Sequence, residues 1–257
     1  MPKSIVIIPT YNEIENIRDM VEQVLSQPLA FDLLIVDDSS PDGTGEVVRD
    51  LQDKYPQRLH LEVRKGKLGL GTAYIHGFKY ALVHNYDYIF EMDADFSHNP
   101  ADLAQLYQAC EEGYDLVIGS RYIKGVNVIN WPMHRVLMSY FASFYVRKVT
   151  GMHIMDATAG FKCYRREVLE TIPLDKIRFV GYAFQIQMKF EAWKYGFKIK
   201  EIPIVFTDRT RGQSKMSVKI FREAFWGVFQ MKIRSFFKKY RRKINQNESS
   251  LPAGSGK

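Results

Sequence analysis

From its start the chain alternates short apolar runs with stretches in which apolar residues recur every three or four positions. The runs "SIVIIP", "DLLIVDD", "RLHLEVR", "YDYIFEMD" and "YDLVIGS" have strand length and are rich in Val, Ile, Leu and aromatic residues. Between them, "NIRDMVEQVLSQ", "GTGEVVRDLQDKY", "TAYIHGFKYALVH" and "PADLAQLYQACEEG" carry the helical spacing. Near-continuous apolar strands separated by helices predict an α/β fold, a mostly parallel central sheet with helices on both faces. Ligands of such sheets collect at the carboxyl ends of the strands.

The pattern then becomes mixed. "MHRVLMSYFASFYVRKVTG" reads as a helix entered near Pro132 and closed by Gly151, and "GFKCYRREVLETI" as a short strand running into a helix. "AFQIQMKFEAWKYG" reads as a helix ending at Gly196, "KIKEIPIVFTD" as one strand, and "SVKIFREAFWGVFQMKIRSFFKKY" as a long amphipathic helix. The expected organisation is one globular domain over 1–230, a basic amphipathic segment over 231–244, and a disordered polar end over 245–257.

Composition changes this picture little. A chain of 257 residues, 46% hydrophobic, suits one ordinary globular domain. Its two cysteines, Cys110 and Cys163, form neither a disulfide framework nor a metal-type spacing, which predicts a reducing, cytoplasmic setting. The N-terminus shows no signal-peptide pattern. The longest uncharged apolar stretch, Val136 to Val146, has eleven residues. A bilayer span needs about 20, so no transmembrane helix is expected.

Charge is more informative once located. Residues 231–257 hold eight Lys or Arg against one Glu, whereas residues 1–230 balance at 28 of each sign. The whole excess of +7 therefore lies in the tail. A neutral body argues against a nucleic-acid surface, and the basic tail favours a peripheral position on an anionic membrane face.

Chemistry gathers at the predicted strand ends. "PTYNE", "VDDSSPDGT", "GKLGLGTA", "DADFSH" and "GSRY" follow five successive strands and bring polar or glycine-rich loops to one sheet edge. Asp93 and Asp95 are spaced i, i+2, which in a strand points both carboxylates to one face. Such a pair repels itself unless a cation intervenes, and hard oxygen ligands suit Mg²⁺ or Mn²⁺ shared with substrate phosphates. The plainer alternative is a cap on the helix at Pro100, and His98 is open to reading as a ligand or a turn residue. "GLGTAY" lacks the third glycine of the dinucleotide fingerprint, and no P-loop motif occurs.

The series "PTYNE", "VDDSSPDGT", "KLGLGTAYIHG", "MDADFSHNP", "GSRY", "DATAGF", "GYAFQIQM" and "DRTRGQSK" resembles the family 2 glycosyltransferases, most closely their dolichyl-phosphate (polyprenol-phosphate) mannosyltransferase branch, over roughly residues 4–225. The resemblance implies a GT-A nucleotide-sugar-binding fold. It implies inverting, metal-dependent transfer of mannose from GDP-mannose to a lipid phosphate. Carried over by motif, Pro9, Tyr11, Glu13, Val36 and Asp38 would line the nucleotide pocket. Asp93, Ala94 and Asp95 would meet the diphosphate and metal; Arg121, Arg209 and Lys215 would complete the phosphate shell; Arg135 and Ser139 would meet the acceptor phosphate. Two positions depart from the pattern: Ser97 stands where some members place a glutamine metal ligand, and Ala159 replaces a polar residue in "TAGF". Many relatives also carry C-terminal membrane helices or borrow them from an anchoring partner protein.

Elementary chemistry bears on the acceptor. A phosphate is ionised at neutral pH and needs no general base, only cations that position it. A hydroxyl acceptor would need a base, for which Asp156 is the nearest candidate; its plainer role is in a loop or helix cap. The Q-x-x-R-W signature of processive synthases is absent. Donor identity stays open between GDP-mannose and another nucleotide sugar such as UDP-glucose, and a non-catalytic sensor would have lost Asp93, Asp95, Arg121 or Arg209, all of which are present. In the last helix, Phe221, Phe225, Val228, Phe229, Ile233, Phe236, Phe237 and Tyr240 form a broad apolar stripe flanked by Lys and Arg. Its first half, to about Phe229, is expected to pack on the body and its second half to face the membrane. Val136 to Val146 is a second membrane contact or a piece of core.

Overall fold

The structure, a computed structural model, describes residues 2–209 and 218–242. In chain order the first strands and helices are β1 (Ser4–Thr10), α1 (Ile14–Leu25), β2 (Phe31–Asp37), α2 (Thr44–Gln52), β3 (Leu59–Val63), α3 (Leu70–Val83), β4 (Tyr88–Glu91), α4 (Leu103–Glu111) and β5 (Leu116–Ser120). There follow β6 (Val128–Ile129), α5 (Met133–Thr150), β7 (Lys162–Arg165), α6 (Arg166–Thr171), α7 (Tyr182–Lys194), β8 (Ile199–Pro203), β9 (Phe206–Thr207) and α8 (Val218–Phe237). The main sheet has the order β3-β2-β1-β4-β7-β5-β8. All neighbours are parallel except β7, which runs antiparallel to β4 and to β5, with Cys163 opposite both Phe90 and Val117.

The pleat sorts the core onto two faces. Ile5, Ile7, Leu34 and Val36 point to the side covered by α3 and α7, while Val6, Ile8, Leu33 and Ile35 point to the side covered by α1, α2 and α4. Helix α3 lies close against the sheet because it carries glycine there. A Cβ built on Gly77 would stand 2.6 Å from Ile7 Cγ2, and one on Gly71 would stand 2.8 Å from the Phe179 carbonyl oxygen. Gly71 and Gly77 of "LGLGTAYIHG" thus serve the packing of α3, while Gly69, at φ +99°, caps its start at Leu70.

Two expected elements differ. The run "KIKEIPIVFTD" is not one strand: β8 ends at Pro203, whose ring removes an N–H donor, and the chain leaves to pair β9 with β6 in a separate two-stranded sheet. Helix α8 does not divide by halves. From Phe225 on, where its side chains are described, Val228, Met231 and Ser235 are buried, while Phe225, Trp226, Phe229 and Ile233 are exposed, as are Phe236 (73%) and Phe237 (87%). Packing thus follows a face. Phe221 lies where no side chain is described, and the expected disordered end falls outside the described residues.

Nor does the basic tail stand clear of the body. Lys232 Nζ donates to the Thr150 carbonyl at 2.8 Å, Lys238 pairs with Glu191 at 2.6 Å, and Arg242 reaches Asp115 and Glu167. Helix α5 behaves oppositely to a core helix: only Ser143, Val146 and Thr150 are buried, and Leu137, Met138, Phe141 and Phe144 are exposed. Tyr145 of α5 stacks on Phe225 of α8 at 4.5 Å, joining the two exposed faces. No helix of the described residues is long and apolar enough to cross a membrane.

Candidate active site

Strands β1, β2, β4 and β5 end at one edge of the sheet. Because β7 is antiparallel, it begins at that same edge, so the loop "DATAGF" before it joins the site.

On the β1–β2 side, the Lys67 ammonium stands 4.7 Å from the centre of the Tyr11 ring. Glu13 opens α1; its N–H donates to Thr44 Oγ1 at 3.0 Å and its carboxylate accepts from Asn16 at 3.1 Å. Asp38 is buried and paired with Arg64 at 2.6 Å, and it accepts the Leu68 N–H at 3.2 Å. Arg64 also donates to Thr72 at 2.8 Å, so Asp38 and Arg64 together bind the segment between β3 and α3 to the end of β2. Pro9 is half-buried at the end of β1. Val36 and Ala94 are core residues: Val36 is wholly buried between β1 and β3, and Ala94 packs on the α1/α4 side. Neither offers a side chain to a ligand.

The carboxylate pair lies beyond β4, which ends at Glu91, so strand pleat does not align it. Instead the chain turns, with Phe96 at φ +59°. Asp93 accepts from the Tyr74 hydroxyl at 3.3 Å, and its side chain is 37% exposed. Asp95 is buried, accepts the Ser97 N–H at 3.1 Å and pairs with Arg209 at 3.0 Å. The enclosing protein and the charge of Asp95 push the Asp93 carboxyl up to about 7. The Ser97 hydroxyl is buried without a hydrogen-bond partner among the described residues. Two crowded carboxylates beside an unpartnered hydroxyl fit a hard divalent cation whose other ligands are phosphates and water. Among the described residues no cluster of three or more His, Cys, Asp or Glu forms a self-sufficient metal cage.

His98 is no ligand in this arrangement. It is buried, stacked on Phe161 at 5.0 Å, and its Nδ1 accepts the Asp93 backbone N–H at 3.3 Å. That places it behind the aspartates as a support. Burial holds its pKa down to about 4, so the ring is neutral.

The opposite wall is cationic. Arg121 donates to Asp156 from Nε at 2.7 Å and from Nη2 at 2.6 Å, and to Thr158 at 2.8 Å. Burial would raise the Asp156 carboxyl, but Arg121 holds it below the usual carboxylate range. Asp156 is wholly buried and committed to Arg121, which removes it as a base for a hydroxyl acceptor. Arg135 donates to both oxygens of Asp208 at 2.8 Å. Ser139 lies one helical turn beyond Arg135 and is half-buried. Lys215 falls outside the described residues.

A buried polar network behind the site is missing from the expectations. Glu91 is wholly buried; it pairs with Lys162 at 3.0 Å and accepts from Tyr164 at 2.7 Å and Gln185 at 2.8 Å. Lys189, also buried, donates to the carbonyls of Ala157 at 2.9 Å and Ala159 at 2.6 Å, and so fixes the loop that carries Asp156. Burial lowers the pKa of both lysines. The only trace in the sequence is a charged residue inside an otherwise apolar run, as in "YIFEMD".

This geometry has relatives. The family model "Glycosyl transferase family 2" matches residues 5–173. The chain is 46% identical over 232 residues to polyprenol monophosphomannose synthase of Mycolicibacterium smegmatis, covering 90% of this chain and 88% of that one. It is 43% identical over 227 residues to undecaprenyl-phosphate mannosyltransferase of Micrococcus luteus, covering 86% and 93%. In fold it is similar to glucosyl-3-phosphoglycerate synthase of Mycobacterium tuberculosis, solved with Mn²⁺, UDP and glucosyl-3-phosphoglycerate, with a TM-score of 0.65, 17% identity, and coverage of 91% of this chain and 80% of that one. The motif resemblance, the α/β architecture and the family match agree: the chain belongs to glycosyltransferase family 2.

Proposed function

We propose that this chain transfers mannose from GDP-mannose to a polyprenyl phosphate at a membrane surface, with inversion and with Mg²⁺ or Mn²⁺ as cofactor. The names of the relatives support the sugar and the lipid class. The observation that carries the reading is the construction of α5. Its first turns bring Arg135 and Ser139 to the cationic wall, and the same helix exposes Leu137, Phe141 and Phe144 outward. A lipid whose phosphate must reach the site while its tail stays in apolar surroundings needs both features on one element.

In this reading Asp93 and Asp95 hold the cation, which when bound neutralises diphosphate charge and favours departure of the nucleotide. Arg209, paired with Asp95 at 3.0 Å, would turn to the leaving diphosphate, and the family motif assigns Lys215, outside the described residues, to the same phosphates. Arg121, kept in orientation by Asp156, and Arg135 position the ionised acceptor, and Ser139 adds a hydroxyl donor. The phosphate oxygen attacks the sugar carbon with no proton to remove, so the commitment of Asp156 to Arg121 carries no penalty.

The test is a transfer assay with purified protein, a short polyprenyl phosphate and Mg²⁺ or Mn²⁺, offered GDP-mannose or UDP-glucose, with lipid product read by mass. Product from GDP-mannose alone, abolished by EDTA, is the expected result. Product from UDP-glucose instead would keep the acceptor and change the donor. No lipid product with either donor would overturn the reading.

A further inference from the structure

Trp131 stands between β6 and α5 and meets both arginines of the cationic wall. The centre of its ring lies 4.2 Å from Arg135 Cζ and 5.4 Å from Arg121 Cζ, and it packs edge-on against Phe206 at 5.2 Å. Guanidinium groups over an indole face are attracted by cation–π interaction, so the ring adds to the positioning that Asp156 gives Arg121 and Asp208 gives Arg135. Its second feature is polar. The indole nitrogen is buried and has no hydrogen-bond partner among the described residues.

An indole N–H is a donor and never an acceptor, so its missing partner is an acceptor. A buried donor left unpaired is unfavourable, and such a group in a native protein calls for a partner such as a bound ion or water. Two carboxylates stand nearby, but Asp156 is engaged by Arg121 and Asp208 by Arg135. Helix α5 starts at Met133, two residues on, so the positive end of its dipole lies next to Trp131 in the chain. Two guanidinium groups, a helix N-terminus and an unpaired N–H share one ligand chemistry, an oxyanion with several acceptor oxygens.

We infer that Trp131 is a further binding residue for the acceptor phosphate: its indole N–H donates to a phosphate oxygen while its ring lies against Arg121 and Arg135, which face the same anion. This rests on the proposed acceptor being a lipid phosphate. It adds a group that recognises the phosphate by a neutral hydrogen bond, which leaves the nucleophilic charge of the oxygen largely intact.

Trp131→Phe separates the two contributions, since phenylalanine keeps an aromatic face for both arginines and lacks the N–H. Steady-state transfer should show KM for a short polyprenyl phosphate raised about 10- to 100-fold, with KM for GDP-mannose and the unfolding midpoint unchanged. In a second measurement, Trp193→Phe/Trp226→Phe leaves Trp131 as the sole tryptophan. Its emission should shift on titration with the short polyprenyl phosphate or with inorganic phosphate, and stay still with the corresponding alcohol. An acceptor KM within about twofold of wild type, or emission that ignores saturating acceptor, would overturn the inference. Arg135→Ala distinguishes the failures. If it raises the acceptor KM while Trp131→Phe does not, only the role of Trp131 falls. If it too has no effect, or wild type transfers nothing to the lipid phosphate, the acceptor reading falls with it.

Discussion

Asp156 grips Arg121 three times: the carboxylate takes Nε at 2.7 Å, Nη2 at 2.6 Å and the Arg121 backbone N–H at 3.0 Å. Glu201 in turn accepts the Asp156 N–H at 2.9 Å, so a strand-borne carboxylate secures the loop that secures the arginine. Removing one member of a buried pair leaves an uncompensated charge. Asp156→Ala should cost about 3–5 kcal/mol of stability, read by urea unfolding, and should abolish transfer even below its lowered melting temperature. Wild-type stability in this variant would mean that Arg121 finds another partner.

Asp95 has two roles that a single substitution separates. Asp95→Asn removes the charge that helps to raise the Asp93 carboxyl, and it weakens the grip on Arg209. Transfer should fall by about 10²–10³-fold, the scale for losing one electrostatic contact to developing charge. The unfolding midpoint in EDTA should hold or rise, because two crowded carboxylates become one. A drop in stability matching the drop in activity would assign Asp95 a structural role.

Much of this was legible in the chain, for reasons that differ by element. The parallel strands and their helices follow from period and length, and the strand-end loops marked the site edge. Asp93 and Asp95 were found by a strand-pleat argument that does not hold, since β4 ends at Glu91 and both carboxylates stand in the loop beyond it, where the charge of Asp95 still acts on Asp93. Strand β7, "KCYR", was foreseen as a strand but not as an antiparallel insertion between β4 and β5, because four residues specify no direction. Lys162 and Lys189 were invisible: lysine belongs on surfaces by default, and only three-dimensional pairing with Glu91 or with the loop carbonyls reverses that. A broad apolar stripe on α8 could not say which of its edges packs.

Acidification should reveal His98. Its folded pKa of about 4 lies below the ordinary 6.5, so the unfolded chain binds a proton that the folded chain refuses. Stability from this group is present above pH 6.5 and is lost as pH falls toward 4. Asp93, raised to about 7, acts oppositely, being stabilising when protonated at low pH. The contribution of His98 is therefore read as a difference: in EDTA, wild type should lose more stability on acidification than His98→Phe across that window. Parallel curves would show that the ring is protonated in the fold.

Close packing of α3 on β1 predicts a penalty where the glycine allows contact. In Gly77→Ala the new methyl would meet Ile7 Cγ2 at 2.6 Å, well inside contact distance, in a wholly buried part of the core. The expected cost is about 1–3 kcal/mol, measured by urea unfolding, with KM for the nucleotide sugar unchanged. A neutral result would mean that α3 shifts freely, and the position of Tyr74 beneath Asp93 would then have to shift with it.

The exposed faces of α5 and α8 predict how the chain meets lipid. Phe141 on α5 is 60% exposed and Phe236 on α8 is 73% exposed, and the Tyr145–Phe225 stack binds the two helices together. An interfacial helix is held by its apolar side chains and by basic residues near anionic headgroups, each worth about 1 kcal/mol. Lys238 and Arg242 are committed to Glu191 and to Asp115 and Glu167, so in the proposed attachment to a membrane the apolar side chains should carry more than the tail charge alone suggests. Phe141→Ser/Phe236→Ser should therefore lower the fraction floating with phosphatidylglycerol-containing vesicles more than 0.5 M salt lowers it for wild type. The unfolding midpoint should stay put, because neither side chain is buried. Flotation abolished by salt and indifferent to the double substitution would instead assign the attachment to charge.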